Sequence, residues 1–143
     1  MRALLDINVL IALHDRDHVH HVLAAQWFAR NADKGWASCP LTQNGCLRIM
    51  SQPAYPGSQP LASLILMLQQ STATPYHTLW PDDISLLDAA RFHHAHMHGP
   101  RQLTDLYLLG LAVKNKACLV SFDARIPLSA VRGASAKHLL TLY

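Results

Sequence analysis

Glutamate is missing from this chain of 143 residues: all nine acidic side chains are aspartate, so any carboxylate chemistry must run on Asp alone. Aromatic residues make up only 7% and charged residues 15%, while half of the chain is apolar. That balance argues against disorder and suffices for a sizeable core. Long hydrophobic runs are also lacking. None approaches the roughly 20 residues needed to cross a membrane, and Asp6 stands where a signal peptide would need its apolar region. The expectation is a soluble, cytoplasmic protein with no membrane partner. Cysteine is scarce: Cys39, Cys46 and Cys118 are odd in number, lack paired metal-type spacing and read as free thiols. Twelve basic against nine acidic residues leave a mild positive bias. It permits a nucleic-acid partner but is far from the density of a dedicated basic arm.

What is present alternates between strand-like and helix-like segments. Ala3-Leu4-Leu5 reads as a short buried strand ending at Asp6, followed by a helix from Asn8 to about His14. A second helix is expected over His18 to Arg30, and a second strand at Trp36-Ala37-Ser38. Pro40 and Thr42 open a helix that Pro53 stops, and three prolines and a glycine between Ser51 and Pro60 dictate a loop. Leu61 to Gln70 is an apolar helix, His77 to Trp80 a third strand, and Ile84 to Phe92 a further helix. After a histidine-rich connector, Thr104 is expected to cap a helix running to Val113. Ala117 to Ser121 is strongly β-like, and His138 to Leu142 can supply a last strand. Alternation of this kind implies a parallel sheet covered on both faces. With no internal repeat, low-complexity tract or linker, residues 1–143 are expected to form one domain.

Ligands of open parallel sheets bind beyond the carboxyl ends of the strands. Asp6 and Asp123 fall at that edge, and Asp105, at the start of a helix beside Thr104, projects from the same rim. Each has an ordinary explanation by itself, as a turn residue or a helix-starting acid. Together, three acids at three strand–helix junctions would repel one another in a low-dielectric crevice, by about 4 kcal/mol for a pair at about 4 Å and a dielectric near 20. Such a cluster calls for a hard cation, Mg²⁺ or Mn²⁺, which can activate water for attack on a phosphodiester.

Four segments carry a family resemblance. Leu4-Leu5-Asp6-Ile7-Asn8-Val9-Leu10-Ile11 resembles the opening D-x-N-V-L-I signature of PIN domains. Cys39-Pro40-Leu41-Thr42-Gln43-Asn44-Gly45 with Arg48 resembles the second motif, L-T-E-N-G followed by Arg in a subgroup of VapC-type toxins. Arg101 to Leu108 is similar to R-Q-x-T-D-x-Y-L, and Leu119-Val120-Ser121-Phe122-Asp123 to L-V-T-F-D. The matches stand in the family's order across residues 4 to 123. The resemblance implies a three-layer α/β/α sandwich with a parallel sheet of about five strands. It also implies a Mg²⁺-dependent endoribonuclease (Mn²⁺ being the other candidate), the toxin of a toxin–antitoxin pair, with an RNA substrate, a cognate antitoxin and a homodimeric state. Asp6, Asp105 and Asp123 match the acidic catalytic and metal site, while Asn8, Thr104 and Ser121 match supporting positions. Gln43 departs from the pattern, since the family places Glu there. An amide can coordinate through its carbonyl but brings no charge and cannot act as a base. The alternative is therefore a catalytically weakened PIN domain that mainly binds antitoxin or RNA.

Arg48, Arg101 and Arg125 flank the matched motifs and are candidates for phosphate contact. Two other folds place an acid after a first strand. Haloacid-dehalogenase phosphatases need a second Asp two residues on, where Asn8 stands, and receiver domains need an early acidic pair and a late lysine, which are lacking. The cluster His93, His94, His96 and His98 reads as a solvated connector because no acid or cysteine completes a ligand set.

Overall fold

The computed structural model describes residues Met1–Tyr143. Five parallel strands, β1 (Ala3–Leu5), β2 (Trp36–Ser38), β3 (His77–Leu79), β4 (Cys118–Ser121) and β5 (Leu139–Thr141), form a sheet in the order β3-β2-β1-β4-β5. The register places Ala3 beside both Trp36 and Cys118, and Leu5 beside Val120. The chain winds outward from β1 through β2 to β3, then returns to lay β4 on the opposite flank of β1. The strand order thus switches between β1 and β4, where a crevice opens at the carboxyl ends.

Side-chain alternation divides the core. Ala3, Leu5, Trp36 and Val120 face one side, where α1 (Ile7–His14), α2 (His21–Asn31), α3 (Pro40–Met50) and α4 (Leu61–Thr72) cover them. Leu4, Ala37 and Leu119 face the other, covered by α5 (Leu103–Lys114) and by irregular chain including Trp80, Phe92 and Ile126. Both faces of the three central strands, β1, β2 and β4, are buried, which is why they read as apolar runs instead of alternating ones. Each fully buried Leu or Val contributes about 1.5–3 kcal/mol. The result is the three-layer α/β/α sandwich.

Three expectations are corrected. Ile84 to Phe92 is not a helix. Ser85 and Asp88 turn their side chains onto the backbone N–H groups of Leu87 and Ala90, closing local turns that compete with helix formation. Phe92 then pairs with Val131 in an antiparallel bridge and drives its ring into the core. Thr104 is not an N-cap: α5 begins at Leu103, after a 3-10 turn over Pro100–Gln102, so Thr104 lies within the first turn. The second helix starts at His21, later than expected, because residues 15–20 form turns. The histidine connector is partly exposed, as a solvated segment would be, and also makes contacts of its own. His94 Nε2 and His96 Nδ1 hydrogen-bond to the carbonyls of Leu86 and Ser129, and the His93 and His96 rings lie 3.8 Å apart. All three cysteines are free, and no helix is long and apolar enough to cross a membrane.

Candidate active site

Asp6 is the residue between β1 and α1, buried to 5% exposure. Asp123 follows β4, and Asp105 lies in the first turn of α5, the helix that leads back to β4. The switch between β1 and β4 brings the three together. One cavity of about 430 Å³ is lined by Asp6, Asn8, Asp105, Ser121, Phe122, Asp123, Ala124 and Arg125. A second, of about 270 Å³, shares Asp105, Asp123 and Arg125 with it and extends to Arg101, Gln102 and Ile126. The two form one cleft.

Ser121 ties the strand ends to each other. Its hydroxyl donates to Asp6 Oδ2 at 2.9 Å and accepts from the Asp123 N–H at 3.1 Å. This fixes one oxygen of Asp6 and leaves the other free of side-chain partners. Burial pushes the Asp6 carboxyl up, against hydrogen bonds from Ser121 and the Ile7 N–H, and the nearby Asp123 charge pushes the same way. Asp105 is pushed up to about 6, first by burial and then by the like charges of Asp6 and Asp123. Asp123 is held below its ordinary range by hydrogen bonds from the N–H and guanidinium of Arg125, the latter at 3.2 Å. The cleft therefore carries negative charge that two of its three acids resist, a situation that a bound cation relieves.

The donor set consists of oxygens, matching a hard cation and not a soft one. As the side chains stand, no three of the His, Cys and Asp groups are close enough together to hold a metal ion. The carboxylates border an open cleft, so a cation there would take a few of their oxygens and keep water for the rest, as Mg²⁺ favours.

The remaining candidates divide. Asn8 and Ser121 line the acidic cleft, and Arg101 and Arg125 flank it. Arg48 is exposed on α3 and borders neither cavity. Thr104 faces a separate groove with Leu41, Asp82, Leu86, Leu103 and Tyr107. Gln43 also lines neither acidic cavity. Its amide donates to the buried Ser38 hydroxyl at 3.0 Å, which is 2.7 Å from His77 Nε2, and the side chain lines a cleft between α3 and α4. Sequence reasoning passed over Phe122, which borders the acids, and the pairing of Arg125 with Asp123. Their adjacency to the matched S-F-D segment was the available signal.

The PIN domain family model matches residues 3–133. Ribonuclease VapC44 of Mycobacterium tuberculosis is 49% identical over 142 residues, covering 99% of this chain and all of the relative. Ribonuclease VapC39 of the same organism is 40% identical over 93% of this chain and 96% of its own length. Among solved structures, M. tuberculosis VapC20, a sarcin-ricin loop cleaving toxin, superposes with a TM-score of 0.64 at 10% identity over 87% of this chain and 92% of its own. VapBC2 from Rickettsia felis, bound to a DNA fragment from its promoter, gives 0.64 at 13% identity over the full length of both chains. A parallel sheet switching at β1 and β4, acids gathered at that switch, and full-length likeness to these proteins lead to one assignment: the chain belongs to the PIN-domain family, in its VapC-like branch.

Proposed function

We propose that residues 1–143 act as one domain, a Mg²⁺-dependent endoribonuclease serving as the toxin of a toxin–antitoxin pair in the cytoplasm. The observation that carries this reading is the convergence of Asp6, Asp105 and Asp123 on one cleft, where burial and then neighbouring carboxylates raise the proton affinity of Asp6 and Asp105. The curated relatives are named ribonucleases and match over nearly their whole length, which supports hydrolysis of RNA phosphodiester bonds. An antitoxin partner and a homodimeric state belong to the same proposal; the likeness to a VapBC assembly supports the former.

In this reading Asp6, Asp105 and Asp123 hold the cation, with Mn²⁺ able to replace Mg²⁺. When bound, the ion supplies Lewis acidity and a water of lowered pKa for attack on phosphorus. The chain's own residues do the rest. Ser121 keeps Asp6 aimed into the cleft through its 2.9 Å hydrogen bond. Asn8, at the cleft wall, offers an amide to a phosphate or its water. Arg125 and Arg101 place positive charge beside the acids, where they position the phosphodiester and offset developing charge on its oxygens.

The weakened-catalysis reading rested on the missing charge at position 43. Gln43 hydrogen-bonds to Ser38 and lines the α3–α4 cleft, outside the cavities that hold the three aspartates, which favours the catalytic reading over this alternative. Catalysis is tested by incubating single-stranded RNA with the protein and Mg²⁺ or Mn²⁺ beside an Asp6→Asn variant. Cleavage by the wild type, and a loss of about 100-fold or more in the variant, is expected. Equal cleavage by both would remove Asp6 from the site; no cleavage by either, with RNA binding retained, would restore the binding-module reading.

A further inference from the structure

Phe122 stands between Ser121 and Asp123 and is only half-buried, its inner edge packed on the core under β4 and its remainder bordering the acidic cleft. Two histidines from the turn between α1 and α2 join it. The His20 ring lies 4.7 Å from Phe122 at 35°, and the His18 ring 6.5 Å away at 15°, nearly parallel. The turn that carries them is pinned. The His20 N–H donates to His18 Nδ1 at 3.0 Å, the His18 N–H to the Asp15 carbonyl, and His21 Nδ1 is 2.8 Å from the Ala12 carbonyl. His20 itself is exposed. Three rings from two distant segments thus meet in a shelf at Phe122, the one of the three that lines the cleft. At the other end the cleft reaches Arg101, with Arg125 and the acids between.

We propose that this shelf is a subsite for one unpaired nucleobase of the RNA strand, stacked on Phe122 and flanked by His20 and His18. The inference rests on the ribonuclease reading and adds to it where a base flanking the scissile phosphate goes. Core packing explains why Phe122 is apolar. It does not explain why its uncovered part meets two imidazoles beside the carboxylates, in a chain with so few aromatic residues. Stacking is the interaction proteins use to hold single-stranded bases with little sequence demand, because every base has a π-face. The exposed His20 contributes a second planar group that requires no change in the core.

The test is fluorescence anisotropy with Ca²⁺ in place of Mg²⁺, to hold RNA without turnover. The probes are a labelled pool of random single-stranded RNA 12-mers and a ribose–phosphate 12-mer without bases. The wild type is expected to bind the base-bearing strand about tenfold more tightly than the abasic one. Phe122→Leu and His20→Ala lose that preference and keep wild-type affinity for the abasic strand; Phe122→Tyr retains it. His20→Ala keeps the test informative if Phe122→Leu disturbs packing. A wild type without preference for bases, or variants that keep it, would overturn the shelf while leaving the nuclease standing. A wild type that binds neither strand would instead remove the ribonuclease reading, and the shelf with it.

Discussion

Asp105 stands half-buried between two like charges, and its folded-state pKa of about 6 against an ordinary 3.8 has a consequence for stability. A carboxylate pushed up by folding binds its proton more tightly in the folded than in the unfolded chain. The metal-free protein therefore loses stability as pH rises from about 4 through about 6, and keeps that loss at neutral pH. A shift of about two units corresponds to about 3 kcal/mol, which solvent screening of a half-buried group reduces to about 1–2 kcal/mol. Asp105→Asn is accordingly expected to stabilise the metal-free protein by about 1–2 kcal/mol at pH 7 and by almost nothing at pH 4, read from urea unfolding. Equal effects at both pH values would show that burial and repulsion of the ionised carboxyl are not the cause. Gln43 carries the second residue-scale prediction. Because its amide is engaged with Ser38, Gln43→Glu is expected to leave RNA cleavage within about twofold of wild type. A rise of about tenfold would place position 43 in the catalytic cleft after all.

At the scale of elements, one tight constraint is the crossing of α5 over the chain that precedes it. A Cβ at Gly110 would lie 2.6 Å from Phe92 Cζ and 2.9 Å from Cε1, a rigid ring that is wholly buried. Gly110→Ala therefore gains about 1 kcal/mol of helix propensity but loses more to overpacking, for a net loss of about 1–2 kcal/mol in thermal or urea unfolding. Combining it with Phe92→Leu should recover part of that loss; strict additivity would dissociate the two positions. This crossing also explains what the sequence concealed. The strands were legible because short runs such as Ala3-Leu4-Leu5 and Leu119-Val120-Ser121 bury both faces, and the acids at their ends were legible with them. The segment from Ile84 to Phe92 has apolar spacing that suits a helix, but Ser85 and Asp88 close turns and Phe92 is required under Gly110. Thr104 has the chemistry of a cap, yet Pro100 starts the turn earlier. The direction of Gln43 was not legible, because the rotation of α3 is set by its approach to α1. There Gly45 admits Ile7, whose Cδ1 would lie 2.6 Å from an added Cβ.

For the molecule as a whole, the site exists because the sheet changes winding direction. Asp6 and Asp123 are 117 positions apart in sequence and meet because β1 and β4 are neighbours; Asp105 joins them on the helix that makes the return crossover. Like charges gathered by topology oppose folding; on the proposed reading a cation entering the cleft would relieve that opposition, which would couple metal binding to stability and make affinity for the ion rise with pH as Asp105 loses its proton. The most direct measurement of this account is a calorimetric titration of Mn²⁺ into the wild type and into Asp6→Asn and Asp105→Asn at pH 7. The account predicts saturable binding by the wild type and affinity lower by about tenfold or more in each variant. Undiminished Mn²⁺ affinity in both variants would contradict it, because the aspartates would then not be sharing an ion.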